Sequence, residues 1–590
     1  MLDPRIYRAA FLPVIAAVVV LMFSLERAPE PLEGPISAPI LKGRESARIA
    51  RSLADLAPER SPGSPGDRAV ANVVRERFGA VTGGELGVQT FETSYEGETV
   101  EAENVILTLP GRRAETLLVV AGRDSEVGRG ATTSAAATAT LLSLADILGS
   151  SRHERTIVLA SVSGSGDGAD GVRQLADQLE LERGIEAAIV VSQPGVADRE
   201  PPFVFPGHAD SDSAPATLIE TAAAIGTVQF GRPAYPTDAW LELTRLALPV
   251  GVGLGTALAD EGIDAVTVSG SGERQPDPGS SAPEEVSSET LSMAGNTALN
   301  LVLTLDQPTA SIPTDPASYL KVGDNLLPGW TLRLLALALV LPSLVAGADA
   351  WLRDRRRNAR TTRRSIPWVL ERALLPLAAL LLIYLIGLIG LVDRPGFPYD
   401  PGLFSAGAAG PVALAAIALG VALTALLIRP LRTPLGVESQ TLAAAAGIVS
   451  ALSVLGIWLV NPFLALLLTP AAHVWVLGAR AQGPPRPIVI GTVALLALVP
   501  VVAAGVEVAA ALDLGISAPW HLLLLIESGQ LSPPLALLGC LLLGGLISCV
   551  VAAGADSGLE PRVDPVPLRG PGGYAGPGSL GGTSSSLPRR

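Results

Sequence analysis

The chain has 590 residues, 48% of them hydrophobic, a mean hydropathy of +0.43 and a formal net charge of −14. That length exceeds one ordinary domain, and that hydropathy excludes a purely soluble protein. The acidity excludes nucleic acid as a partner, because phosphate binding needs a basic face that releases counterions.

The charge is unevenly spread. Residues 1–328 hold 44 Asp/Glu and 24 Lys/Arg, a net −20, while residues 329–590 hold the remaining 12 and 18, a net +6. Four segments are expected in chain order. They are an N-terminal membrane anchor over 1–26, an extracytoplasmic domain over 27–328, a seven-helix transmembrane region over 329–554, and a disordered cytoplasmic tail over 555–590. The anchor is the apolar run from Tyr7 to Leu25, preceded by Arg5 and Arg8. No small-x-small cleavage site follows it closely, so it reads as an uncleaved helix rather than a signal peptide.

Between Ala47 and Gln307 two patterns alternate. Helical periodicity marks Gly66 to Ala80, Thr133 to Leu148, Val172 to Leu181, Pro215 to Ile225 and Ser287 to Leu305. Short apolar runs at Asn104 to Leu109, Thr116 to Gly122, Thr156 to Val162, Ala187 to Val191 and Ala265 to Ser269 read as strands buried on both faces. The fold class is therefore an α/β sandwich with a central, mainly parallel sheet, joined to an all-α transmembrane bundle. Asp198 to Ala214, rich in Asp, Ser and Pro, reads as an exposed insertion loop. His153, among Arg152, Glu154 and Arg155, and His208, in that loop, read as surface residues.

From Trp330 onward, seven stretches are long enough to cross a hydrocarbon core: 330–352, 368–392, 407–428, 441–460, 462–480, 488–512 and 534–554. Each needs roughly 20 apolar residues as helix. Asn461-Pro462 marks the turn of a helical hairpin, and Ser517 to Gln530 is too short to span, reading as interfacial or re-entrant with Trp520 as an interface residue. Arg353, Arg355, Arg356, Arg357, Arg360, Arg363 and Arg364 crowd one loop, with Arg429, Arg432, Arg480 and Arg486 in later loops of the same parity. Arg562, Arg569, Arg589 and Arg590 mark the tail. Positive charge is retained in the cytoplasm, so both termini are expected there and residues 27–328 outside a plasma membrane, with membrane lipids as partners. Lys42 and Lys321 are the only lysines beside some 40 arginines, a bias that fits a GC-rich, bacterial genome.

The only cysteines, Cys540 and Cys549, lie nine residues apart on one expected helix. At 1.5 Å rise per residue they stand about 13 Å apart, beyond disulfide reach. Glu507, in the middle of 488–512, and His473, within 462–480, are ionisable groups inside expected spans. Such groups are costly in hydrocarbon and mark candidate functional positions.

The order RSPGSPGDRAVANVVRERF, ENVILTLPG, ETLLVVAGRDS, GATTSAAATATLLSLADIL, RTIVLASVSGSGDGADGVRQLA resembles the zinc aminopeptidases of metallopeptidase family 28 over residues 47–307. In that family two zinc ions are held by His and carboxylates, and a Glu is the general base. The resemblance places Gly122 at the first His, Thr133 at the bridging Asp, Ser165 at the base, Gly166 at its neighbouring ligand and Ser192 at the next Asp. The last His falls near Asp277. Asp124 and Ser125 keep the family's residue types, but a second-sphere carboxylate holds no metal without first-sphere ligands. The Gly-rich stretches Gly164 to Gly171 and Gly270 to Gly272 match neither a nucleophile elbow nor a phosphate-binding loop.

The expected function is thus non-catalytic, with no metal, cofactor or catalytic residue. It is a pseudo-peptidase domain binding a peptide, protein or lipid-linked partner in a groove lined by Gly122, Arg123, Asp124, Thr133, Ser165 and Ser192. One helix, a peptidase-like domain and then many helices is also similar in layout to the peptidase-like subunit of the glycosylphosphatidylinositol transamidase. Two alternatives stand beside it: a membrane-bound zinc aminopeptidase with ligands from other positions, and a transporter or lipid-handling bundle gated by the soluble domain.

Overall fold

The computed structural model describes residues 3–35, 38–126, 128–182, 184–197, 203–206, 212–235, 238–273, 281–310, 312, 318–357, 359–392, 394–404, 407, 409–428, 439–479 and 486–556. The strands among these residues are β1 (Glu26–Arg27), β2 (Glu85–Tyr95), β3 (Glu98–Leu109), β4 (Thr116–Gly122), β5 (Thr156–Val162), β6 (Ile185–Ser192), β7 (Phe203–Pro206), β8 (Ala265–Ser269), β9 (Tyr319–Val322) and β10 (Asn325–Pro328).

β2 to β8 form one mixed sheet in the order β2-β3-β5-β4-β6-β8-β7. Its centre, β5-β4-β6-β8, is parallel, and both edges are antiparallel. Side chains alternate as the two-residue strand period requires. Leu117, Val119 and Ala121 of β4 enter one core with the Gly43–Leu56, Ser134–Leu148 and Ser288–Leu305 helices. Leu118 and Val120 enter the other, with the Asp170–Glu182 and Gly253–Asp260 helices. This is the expected sandwich.

The Ser134–Leu148 helix shows why its composition suits the place. Eleven of its residues are buried, which small alanines permit, and Thr138, Thr140 and Ser143 turn their hydroxyls back to carbonyls four residues earlier, at 2.9 Å each. Those three hydroxyls therefore have acceptors within the helix itself, and Ser143 also meets Ser46 Oγ at 2.7 Å.

Two regions differ from expectation. The run at Asn104 to Leu109 is only the inner half of β3, which pairs with β2 in a long hairpin turned at Glu96-Gly97. Both turn residues have positive φ, 51° and 80°, as a two-residue hairpin turn demands. β2 escapes an apolar-run criterion because it is an edge strand with most positions exposed. Within the expected insertion loop, Phe203–Pro206 is β7, closing the other edge against β8.

Among the described residues six helices are long and apolar enough to cross a membrane: Pro4–Phe23, Gly329–Arg357, Thr362–Leu388, Gly410–Leu427, Gln440–Val460 and Pro533–Gly554. Pro487–Ala497 and Val499–Ala511 make a seventh if their 42° bend lies within one span, and Pro462–Gly478 is shorter. The chain is thus a membrane protein by the length and composition of its helices. Trp520 is buried within the protein, with its indole N–H 3.4 Å from the carbonyl of Phe404. The expected tail beyond residue 556 and His208 lie outside the described residues.

The N-terminal helix packs on the Gly329–Arg357 helix. At one end, Asp3 pairs with Arg353 at 3.2 Å and the Tyr7 hydroxyl meets His473 Nδ1 at 2.8 Å. At the other, β1 pairs with β10. The chain therefore leaves and rejoins the bundle at one place, with the whole α/β domain between.

Candidate functional site

The central parallel strands end together, and a cavity of about 190 Å³ opens there. Carboxyl ends of parallel strands are where open α/β sheets hold ligands, because the connecting loops diverge at that edge. Gly122, Asp124, Thr133, Ser165 and Ser192 all line it. Five of the six expected groove residues are thus brought together from four separate stretches of chain.

Gly122 ends β4, and a Cβ there would lie 2.5 Å from Ser165 Oγ and 2.7 Å from Ser165 Cβ. Ser165 therefore fills the space of any side chain at 122. Asp124 is 4% exposed and receives the Ser165 backbone N–H at 3.1 Å from each carboxylate oxygen. Burial pushes its carboxyl up to about 6, assisted by the charge of Asp67 and opposed by the Ser165 hydrogen bonds and Arg123. Thr133 stands at the N-terminus of the Ser134–Leu148 helix without a capping side-chain bond. Ser192 ends β6 and accepts the Gly270 N–H through its carbonyl at 3.1 Å.

Arg123 is the correction. It does not reach the cavity but is wholly buried beneath it, 2.7 Å from Asp67 and bonded to the carbonyls of Ser161 and Glu103. Asp67 also receives Ser163 Oγ at 2.7 Å, and Arg60 donates to the Arg123 carbonyl at 3.1 Å. A fully buried guanidinium needs such compensation, and its donors are committed to the fold rather than to a ligand.

The strand ends add groups that the sequence reading missed. Glu126 lines the cavity, and a Cβ at Gly166 would run into its carboxylate. Glu273, paired with Arg245, and Thr267 also face it. Asp400, Gly402 and Leu403 come from the loop between two apolar helices, more than 100 residues away in sequence. Glu126 could have been noted two residues after Asp124, whereas no local signal marks Leu403 as a wall of this cleft.

Other candidates lie apart. Glu507 is half-buried on the Val499–Ala511 helix, outside the cleft. His473 is engaged at both ring nitrogens, by Tyr7 and by the Leu339 carbonyl at 2.9 Å, so it ties the N-terminal helix to the bundle. His153 is 5% exposed rather than on a solvated turn, held by Asp306 and by the carbonyl of Leu148. Cys540 and Cys549 are free and buried in the bundle. Asp277 lies outside the described residues.

Zinc, which the resemblance implies, does not suit these side chains. Gly122, Thr133, Gly166 and Ser192 offer no imidazole or carboxylate, and among the described residues no group of three or more His, Cys, Asp or Glu is placed to hold a metal ion.

Residues 104–238 match Peptidase family M28. Among solved structures the chain is similar to a zinc aminopeptidase from Bacillus subtilis, at 12% identity and a TM-score of 0.38 over 49% of this chain and 99% of that one. It is similar to a glutaminyl cyclase from Fimbriiglobus ruber, at 14% identity and 0.33 over 47% and 99%. A leucine aminopeptidase precursor from Bacteroides thetaiotaomicron gives 12% and 0.35 over 46% and 99%. No curated protein matches the chain. The α/β unit, with β4, β5 and β6 and the cleft residues Gly122 to Ser192 inside the matched residues, is an M28 peptidase-like domain carried on apolar helices.

Proposed function

We propose that this M28-like domain is a non-catalytic binding module, held outside the membrane by the bundle, which takes the end of a peptide, protein or lipid-linked partner into its cleft. The observation that carries the reading is the set Gly122, Thr133, Gly166 and Ser192 around the cavity, in the places that the resemblance gives to metal ligands. Replacing charged ligands by small neutral residues leaves hydroxyls and backbone groups suited to orienting a polar ligand end. The Asp3–Arg353 pair supports the topology, since it puts the N-terminus beside the arginine-rich turn that the charge rule assigns to the cytoplasm.

The test is elemental analysis and an aminopeptidase assay on the purified full chain, joined to co-purification from its native membrane. The expected result is no stoichiometric zinc, no peptide hydrolysis, and a co-purifying partner that Thr133→Trp abolishes while the melting temperature stays within a few degrees. Two zinc ions per chain, lost on mutating Asp124, or unchanged capture by a folded Thr133→Trp variant, would sink the reading.

One observation favours the second reading, a peptidase with recruited ligands. The Glu126 carboxylate occupies the side-chain space at 166, beside Asp124. Zinc-dependent hydrolysis abolished by Glu126→Gln would establish it.

A further inference from the structure

The Gly329–Arg357 and Ala359–Leu388 helices meet in a turn at one end of the bundle. Residues 349–364 there hold seven arginines and two aspartates, a net +5. Asp354 fastens the turn, its Oδ2 accepting the Thr362 hydroxyl at 2.8 Å and that of Thr441, on the Ser439–Val460 helix, at 2.7 Å. Asp349 is taken by Arg353 at 3.0 Å, as is Asp3 at 3.2 Å. Arg355, Arg356, Arg357, Arg363 and Arg364 are all exposed, and so is Arg5 on the N-terminal helix that the Asp3 pair draws alongside. None of these six guanidinium groups is paired with a carboxylate among the described residues, because the aspartates of the turn are already engaged. The helix dipole accounts for arginines in the last turn of the first helix, but it gives Arg363 and Arg364, near the start of the next, no support. Like charges crowded on one turn repel, and an external anion relieves that repulsion.

We propose that this arginine surface docks the headgroups of anionic phospholipids in the leaflet that meets the turn. Apolar surface gives way to charge at one level there: Leu352 is 47% exposed, and Arg355 stands 5.4 Å over the ring of its neighbour Trp351. Indole rings gather at headgroup depth, and an arginine stem lies along apolar surface while its head reaches outward. A phospholipid covers both parts, with acyl chain against Leu352 and phosphate among the guanidinium groups, whose paired N–H donors match phosphate oxygens. A soluble anion would cover only the charge. The inference goes beyond the cleft and does not depend on what the cleft binds.

The test uses the full chain in phosphatidylcholine bilayers at about 0.15 M salt, where exposed charges act over roughly 8 Å. Electron paramagnetic resonance reads the protein-bound fraction of spin-labelled phosphatidylglycerol against that of spin-labelled phosphatidylcholine. One arginine beside an anionic headgroup is worth about fivefold in association, which lipid contacts elsewhere on the helices dilute, so phosphatidylglycerol is expected to be favoured by about threefold or more. Changing Arg355, Arg356, Arg357, Arg363 and Arg364 together to Gln should bring the ratio to about one, while changing them to Lys should keep most of it. Where the Gln variant does not fold or insert as the unsubstituted chain does, Arg356→Gln with Arg363→Gln makes the same comparison and should lower the ratio. Equal binding of the two lipids by the unsubstituted chain, or a preference that the Gln substitutions leave intact, overturns the proposal.

Discussion

Asn461, at the tip of a helical hairpin in the bundle, donates its side-chain amide to the carbonyl of Leu246, 3.0 Å away, and also to that of Ala247, at 3.1 Å. Those carbonyls end the Ala239–Ala247 helix of the α/β domain, where main-chain acceptors lack helical partners. The Asn461 oxygen meanwhile accepts the N–H groups of Phe463 and Leu464, capping the next helix. One buried side chain satisfies the end of one helix and the start of another across the domain junction. Asn461→Leu, similar in volume, is expected to cost about 1–3 kcal/mol, read as a lower melting temperature. Proteolysis between domain and bundle should also become faster, and a variant that melts and cleaves like the unsubstituted chain would deny the clamp.

The His153–Asp306 pair predicts a pH dependence. Burial opposes a charge on His153, but the hydrogen bonds to Asp306 and to the Leu148 carbonyl, and the charge of Asp306, outweigh it and raise its pKa above the ordinary value. A raised folded-state pKa contributes stability that is complete below the unfolded value, about 6.5, and is lost as pH rises through the folded value. Melting should therefore fall as pH rises above about 6.5. In His153→Gln the same interval should be flatter, with the largest deficit, about 1–3 kcal/mol, at pH 6. Parallel pH profiles for the two proteins would exclude this linkage.

Gly122 and Ser165 make a testable steric pair. A Cβ at 122 lies within 2.7 Å of both Ser165 side-chain atoms, so Gly122→Ala should destabilise by about 1–3 kcal/mol through overpacking. Adding Ser165→Gly should recover much of the loss, a positive coupling in the double-mutant cycle. Additive losses would mean that backbone conformation at 122, not Ser165, is what demands glycine.

Topology can be checked by labelling. An impermeant maleimide added to intact cells should modify Ser151→Cys and leave Arg357→Cys untouched until the membrane is permeabilised. The opposite pattern would invert the orientation inferred from the arginines.

Much of this architecture was legible before any coordinates. β4, β5 and β8 run over the residues expected, because strands buried on both faces are continuous apolar runs with sharp polar ends. The long apolar helices were readable because a membrane demands length and composition, both local properties. The five residues that line the cavity were named from the family resemblance, whose motifs lie at or just beyond strand ends and at a helix start. β2 and β7 were missed for the complementary reason: edge strands bury little, and their pairing is a property of the neighbouring strand.

What the tertiary structure decided was which side chains are free to act. Arg123 is adjacent to Asp124 in sequence, yet strand alternation sends it under the sheet end to Asp67 while Asp124 lines the cavity. His153 looked solvated among charged neighbours, and only the approach of Asp306 from 153 residues away buries it. The cleft's outer wall comes from Asp400 and Leu403, whose own stretch reads as a plain connection between membrane helices. Local periodicity determines the elements, because it reports how each segment meets its own surroundings. Which residues share a cavity depends on contacts between distant segments, and no local pattern encodes them.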